Sequence, residues 1–558
     1  CGSQGPTFDR DQVAEATGLP TEKVRIAHMY VGGGFGGKED VAGQVLAGVA
    51  AHVIGKPVKV LFSRAESLRV HHKRHAETMH YKVGATKDGK IVASEVQVYG
   101  DTGAYASTGD AVLFRSSTFC CGPYVIPNVK VDAYAVHTNN PTCGAFRGFG
   151  GTQVAFSGEV HLQKVINALD MDPIEFRIKN GLRLGEATIT GHVLDEEVGE
   201  GYIQCLEAIR DALSKEPRPE VGPDEKLGIG IAGAYKNVGL GSGIPDGAGA
   251  SVTLQSDGTF LVRHGAADIG QGSNEAMAII AGRALGVPQK LIRVHAGDTK
   301  LDPLGGMTTA SRATFVTGNA VLQAAQELLE KLQKTVASEF NTPIENLEIK
   351  NGTFVSRSSG NALVTLQQLA QGHETFIGSA NYDAPMTNRV PGYSESYPTK
   401  GSNDHRLHFA LCYGVQAAMV AVNTKTGAVR VLKILAAHDV GSPISLRNCI
   451  GQIEGASVQG LGYALSEGYY LNNGFPITTK FADLGLKRLN ELPQINVILV
   501  ENPHPFGPYG AKGMGELAIS PTAPAVVNAV HDAVGVWINE LPVTSEKVLA
   551  ALKKKQEV

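Results

Sequence analysis

The sequence contains no CxxC pair and no apolar run of 18 or more residues. The first absence removes support for a zinc or iron–sulfur site in this chain, because both are built on closely spaced cysteines. The second argues against a membrane span, which needs about 20 apolar residues. Seven cysteines, at 1, 120, 121, 143, 205, 412 and 449, are odd in number and irregularly spaced, so they form no disulfide framework. With no secretory leader pattern either, a reducing cytoplasm is the expected compartment. Charge is scarce as well. Charged residues make up 19% of the chain and the net charge is −4, so no basic field would gather nucleic acid or an anionic membrane.

Glycine is what the chain has in excess. It accounts for 67 of 558 residues, about 12% against a usual ~7%, and the surplus sits in loops, where it permits close backbone approaches. Hydrophobic residues are 43%, enough for a large core. The pattern predicts a helix over 9–18 stopped by Gly18-Leu19-Pro20, a strand over Val24–Tyr30, the loop Gly32–Gly37, and a helix from Lys38 to Ile54. Strand, glycine loop and helix in that order present free N–H groups and a helix dipole to an anion. The string is not GxGxxG with an acid about 20 residues on, so a Rossmann reading is weak.

Further strands are predicted at 58–62, 79–84 and 91–100, and helix over 162–180. The polar, Pro-rich segment 215–224 is the best boundary. Beyond it the pattern gives strands at 227–234, 250–255, 260–264, 407–422 and 429–439, and helices at 275–285, 317–340, 446–467 and 523–534. The expected fold class is therefore α+β: two large mixed α/β lobes, residues 1–220 and 221–558, with a site between them.

Gly510-Ala511-Lys512-Gly513-Met514-Gly515-Glu516 holds a single carboxylate at the end of a glycine-dense turn. A carboxylate kept partly dry beside a ligand suits a general base. Alone, the same string also reads as a helix entry with Glu516 as a favourable N-terminal charge. Its company decides: VGGGFGGKE at 31–39, AFRGFGG at 145–151, IGQG at 269–272, TASRAT at 309–314, GQIEG at 451–455 and KGMGE at 512–516.

In this order, these strings resemble the molybdenum-binding subunit of the xanthine oxidase family of hydroxylases, over nearly the whole chain. The resemblance implies a molybdopterin cofactor, in its cytosine dinucleotide form as in bacterial members, held by Gly34, Phe35, Gly36, Arg147, Gly270, Gln271, Ala310, Ser311, Arg312, Ala313, Thr314, Gln452, Lys512 and Gly513. Phe35, Arg147 and Ala310 fall on positions that contact the molybdenum centre, mainly through backbone. Gln271 and Gln452 also suit plain helix-cap or core-bridging amides. The implied reaction is hydroxylation with oxygen from water, Glu516 acting as general base. Electrons would leave through [2Fe-2S] and FAD centres on an iron–sulfur subunit and an FAD subunit. The family also implies an upstream segment with a further glutamine near the metal, expected on a separate chain or on another part of a longer polypeptide.

For substrate, the resemblance places Glu39 on the substrate-orienting glutamate of purine hydroxylases, Arg115 on their arginine and Phe149 on the aromatic that packs on the ring. An Arg and a Glu suit the charge that attack puts on ring nitrogens and exocyclic oxygens. A first-turn helix acid for Glu39 and a surface ion-pair residue for Arg115 are the plain alternatives. Gly148 stands where carbon monoxide-oxidising members carry a reactive cysteine, which excludes that reaction. A purine hydroxylase is the leading expectation. Oxidation of nicotinate, another N-heteroaromatic or an aldehyde comes next, and a non-catalytic cofactor scaffold is the reading from a different class. The run His71-His72-Lys73-Arg74-His75 lacks zinc spacing and reads as structural or surface, and Cys120-Cys121 as packing.

Overall fold

The computed structural model describes residues 1–40, 43–196, 198–390 and 405–557. The strand Ala410–Asn423 is its buried axis, with thirteen of fourteen residues inside. It pairs antiparallel with Glu225–Val238 on one side and Val429–Asp439 on the other, and Gln494–Val500 joins the latter in parallel. A strand apolar on both faces must be covered on both. Helix Thr522–Val534 covers the face carrying Ala418, Val420 and Ile434. Helix Tyr202–Lys215 covers the other, over Tyr413, Val415 and Leu435.

Glycine sets the spacing on the first face. A Cβ at Gly228 or Gly230 would lie 2.1 Å from a backbone atom of Ala529, so the run Leu-Gly-Ile-Gly-Ile lets the helix rest on bare strand. Helix Tyr202–Lys215 precedes residue 220 yet packs on strands that follow it, so the two parts of the chain share one core.

Two further sheets flank this one. Glu77–Ala85, Ile91–Gly103 and Asn128–His137 form one, packed on helices Gly109–Phe119 and Gly151–Ala168. Ile377–Asp383, Gly247–Leu254, Phe260–His264 and Ile292–Ala296 form the other, in that order, under helices Ser273–Leu285 and Gly318–Glu339. The mixed α+β class is as the sequence indicates. Strands Phe260–His264 and Val429–Asp439 have the expected ends.

Expectations fail near the N-terminus and at residue 236. Segment 24–30 is not a strand: among the described residues only Ala27 bridges, to Asp298, while side chains of Asp298 and Thr299 take Arg25 and the Ile26 N–H. The helix expected from Lys38 begins at Gln44, and residues 41–42 lie outside the described part. The reason is Gln4, whose Oε1 accepts from the N–H groups of Gly36 (2.9 Å) and Lys38 (3.3 Å) and holds 35–39 in turns. Glu39 is therefore not a first-turn helix acid. Segment 58–62 is not a strand and, among the described residues, pairs with none. Conversely, the strand expected over 227–234 runs on through Lys236 to Val238.

Candidate active site

Loops 32–36, 145–149, 269–272, 308–314, 440–445 and 511–516, with the start of helix Leu446–Leu465, wall a cavity of about 400 Å3. Hydrogen bonds fix the loops to one another. The Arg147 N–H donates to Phe35 O (2.8 Å), and its guanidinium lies 5.8 Å from the Phe35 ring centroid. Arg147 Nε donates to Gly515 O (2.6 Å), and Nη2 to Gln452 Oε1 (2.7 Å). Ser311 Oγ donates to Glu516 Oε2 and accepts from the Glu516 N–H, at 3.3 and 3.2 Å. Residues 35, 147, 311, 452 and 516 thus meet at one place, and Ala310 O, accepting from the Gly239 N–H (2.8 Å), adjoins it.

Four of the wall residues, Phe35, Phe149, Ala310 and Ser311, sit at positive φ (55, 43, 47 and 51°) without being glycine. Each such residue costs on the order of 1 kcal/mol or more and persists only where its surroundings over-determine it. The glycines divide into two kinds. A Cβ at Gly34 would strike Gln4 Oε1 (2.4 Å), at Gly36 Ala145 O (2.6 Å), and at Gly513 Ser311 O (1.7 Å). These exist so that loop can touch loop. Gly32 and Gly515 meet nothing nearer than 3.7 Å and border open space.

Charge is concentrated around Glu516. Lys236, 1% exposed, places Nζ 3.8 Å from Glu516 Oε2. Burial lowers the pKa of Lys236, and lowers those of Arg115 and Arg147 to about 10, while the Glu516 carboxylate acts in the opposite direction on all three. Glu39 lies on the same wall. Burial pushes its carboxyl up to about 8, with repulsion from Glu516 adding to the shift and a hydrogen bond to Thr309 opposing it. Glu39 is therefore a neutral O–H donor at pH 7.

Not every residue singled out in the sequence reaches the cavity in the same way. Arg115 is not on its wall. It is buried behind the 240 loop, donating to Leu240 O and Ser242 Oγ, with His408 beside it. It is not a surface ion-pair residue either. The Arg312 guanidinium is engaged inside the protein by Asp246 Oδ1 (2.6 Å), Gly247 O and Met307 O. The Lys512 ammonium is fully buried against Asp439 (2.7 Å), which ties the 510–516 loop to the end of strand Val429–Asp439. The Gln271 amide holds its own loop, accepting from the Ile269 N–H and donating to Ala267 O and Ser273 Oγ. Gly270, Ala313 and Thr314 line the wall.

The sequence reading missed Gln4, Lys236, Thr309 and Arg74. Gln4 Nε2 also donates to Thr308 O and Glu39 Oε1, so one amide joins three wall segments. Arg74 donates to Arg147 O (2.7 Å) under the Phe146 ring. A lysine inside the apolar run 227–238 was the one visible signal, since buried Lys is rare unless paired.

Among the described residues no group of three or more His, Cys, Asp or Glu side chains could by itself hold a metal, so a metal here would depend on an organic ligand. The walls suit such a ligand. Helix Ser273–Leu285 begins on the wall at Gly272, where the Asp268 carboxylate already accepts from the N–H groups of Gly270, Gly272 and Asn274, so only part of its donor set is open to a phosphate. Gly32 and Gly515 leave room for its body.

A model of the molybdopterin cofactor-binding domain matches residues 1–181, and a second of the same description matches 204–493. A probable xanthine dehydrogenase component of Bacillus subtilis (strain 168) is 33% identical over 555 residues, 99% of this chain and 72% of that protein. The nicotinate dehydrogenase large molybdopterin subunit of Eubacterium barkeri is 49% identical over 209 residues, 38% of this chain and 49% of that one. The solved structure of aldehyde oxidoreductase from Desulfovibrio gigas superposes with a TM-score of 0.84 at 28% identity, covering 99% of this chain and 57% of that one. The chain thus spans just over half of that structure and nearly three quarters of the Bacillus relative.

Proposed function

Because the chain belongs to the molybdopterin-binding subunits of the xanthine dehydrogenase family, we propose that it hydroxylates an N-heteroaromatic ring, first of all a purine of the xanthine or hypoxanthine type, with oxygen from water. The observation that carries this reading is the pairing of Glu39 and Glu516 on one cavity wall, the first kept neutral by burial and the second set among cations. Two carboxyl groups in such different surroundings divide the work of acid and base.

The molybdenum cofactor, when bound, supplies the oxygen-transfer and two-electron redox chemistry. Phe35, Arg147, Ala310, Ser311, Gln452 and the glycines beside them would hold it. Glu516, with one carboxylate oxygen fixed by Ser311 Oγ, receives a proton at its other oxygen, as a general base. Glu39 donates its O–H to a ring nitrogen, where attack at the neighbouring carbon builds negative charge. Phe149 packs on the ring, and Arg115 acts from behind the wall as a long-range positive charge. The [2Fe-2S] and FAD centres on partner chains would take up the electrons. The cytosine dinucleotide form of the pterin, a cytoplasmic location and lobes divided near residue 220 complete the reading.

Nicotinate is the second reading, favoured by the 49% identical stretch shared with the nicotinate dehydrogenase subunit. The reconstituted, partner-complete complex should be assayed against xanthine, hypoxanthine, nicotinate and an aliphatic aldehyde, with molybdenum measured in the same sample. Turnover of the purines is expected, and turnover of the aldehyde alone would remove the proposal. Full cofactor loading with no turnover of any substrate would instead favour a scaffold.

A further inference from the structure

The buried part of strand Ala410–Asn423 carries one amide, Gln416, which has no exposure at all. Its Nε2 donates to Ala518 O (2.8 Å) and turns its second proton toward Ser457 Oγ and His438 Nε2, both 3.2 Å away, while Oε1 accepts from Thr522 Oγ1 (2.7 Å). A carbonyl can only accept, so the amide must present its nitrogen to Ala518. His438 reaches it from the next strand by lying over Gly414, where a Cβ would sit 2.2 Å from Nδ1. Burial lowers the His438 pKa to about 3, so the ring is neutral. Nε2 then accepts from Gln416, and Nδ1 keeps a buried proton that meets no partner. As mere filling, a leucine would serve better there, because it leaves no N–H unpaired.

The partners of Gln416 lead to the cavity wall. Ala518 and Thr522 follow Glu516 by two and six residues. Ser457 belongs to helix Leu446–Leu465, whose Gln452 and Gln459 hold the Arg147 guanidinium. Upstream of Glu516, Lys512 is held by Asp439, the residue after His438 and on the opposite face of its strand. Segment 512–518 is thus fastened to the central sheet at both ends, with Glu516 between the fastenings.

We infer that Gln416 is a positioning residue for Glu516: with its amide oriented by His438, it fixes the main chain at Ala518 and thereby the direction in which the Glu516 carboxylate enters the cavity. This rests on the general-base reading of Glu516 proposed above.

Three variants of the partner-complete complex test it, with hypoxanthine as substrate and molybdenum measured in every sample. His438→Leu removes the acceptor for Gln416, whereas His438→Gln keeps one. The Leu variant should lower kcat about tenfold with KM within about twofold of wild type, and the Gln variant should restore most of that loss. Gln416→Met, similar in size, should lower kcat at least as much, again with KM and molybdenum content kept. Hydrogen exchange gives a readout that needs no turnover. The amides of Ile519 and Ser520, bonded to Glu516 O and Leu517 O, should exchange about tenfold faster in Q416M and H438L, while that of Lys512, bonded to Val440 O, keeps its rate. Wild-type kcat in H438L, a loss in H438Q as large as in H438L, or wild-type exchange at 519 and 520 in Q416M would each overturn the inference. A fully loaded wild-type complex with no turnover would overturn the general-base reading instead, and exchange at 519 and 520 would still decide whether Gln416 holds that main chain.

Discussion

Replacing Glu39 by Gln should flatten the alkaline side of the pH–rate profile. Burial raises the Glu39 carboxyl from 4.5 to about 8, so the neutral donor is present at low pH and lost as pH rises through about 8. Neutral and ionised forms stand at roughly ten to one at pH 7 and one to ten at pH 9. If only the neutral form orients substrate, kcat/KM of the wild type falls about tenfold between those pH values. Gln keeps an N–H donor at that place and does not titrate, so this fall should be absent in E39Q. Glu39→Ala lacks the donor at every pH and should lose about ten- to a hundredfold, the equivalent of roughly 1–3 kcal/mol for an unmade hydrogen bond, with molybdenum content unchanged.

Stability gives an independent reading of the same proton. Between pH 4.5 and about 8 the folded chain holds a proton on Glu39 that the unfolded chain has released. Folded stability from this group is therefore greatest at low pH and declines as pH rises through that window. The melting-temperature advantage of E39Q over wild type should grow from pH 5 to pH 8 and then level off. A wild type with no loss of kcat/KM between pH 7 and 9, or an E39Q variant that keeps the loss at the same midpoint, would refute the assignment of that proton.

Other substitutions separate holding from chemistry. Lys512→Met leaves Asp439 buried without its partner and should cost about 3–5 kcal/mol in urea unfolding; a cost below about 1 kcal/mol would mean that the pair is not dry. Gln4→Ala removes the acceptor of two N–H groups and should speed amide exchange across 35–39 without affecting helix Thr522–Val534. Lys236→Met should slow turnover in the wild type but add nothing in an E516Q background, because its charge acts through Glu516; additive effects in the double variant would place its role elsewhere.

Much of the fold was legible because the pattern matched the burial. Strands Phe260–His264 and Val429–Asp439 and helix Thr522–Val534 alternate or repeat as their covered faces require. The N-terminal misreadings have a common cause. Residues 24–62 carry strand and helix patterns, but long-range side chains decide their state: Gln4 for 35–39, and Asp298 and Thr299 for 25–26. No local rule shows a partner 32 or 273 residues away. The same holds for Arg312 and Lys512, where the motif strings gave the right loop but not the direction of the side chain, which Asp246 and Asp439 set. The resemblance puts Arg115 at the substrate, but its guanidinium is held off the cavity wall by Leu240 and Ser242, which follow strand Glu225–Val238 far away in sequence.

The glycine surplus shows how a single residue type can carry two messages in one string. Gly513 and Gly515 are two positions apart in Lys-Gly-Met-Gly-Glu and look alike in sequence. A methyl group on Gly513 would lie 1.7 Å from Ser311 O and force the two loops apart, whereas one on Gly515 would have its nearest neighbour, Ser311 Oγ, at 3.7 Å. Neither has positive φ, so backbone strain does not separate them. Gly513→Ala should therefore unfold at markedly lower temperature, by several degrees for each kcal/mol of lost loop contact. Gly515→Ala should melt within about a degree of wild type, since surface-like substitutions stay near ±0.5 kcal/mol, yet bind less molybdenum by elemental analysis because its methyl group takes cofactor space. Equal melting temperatures for the two variants, or full metal content in G515A, would show that the open side of this loop is not where the pterin lies.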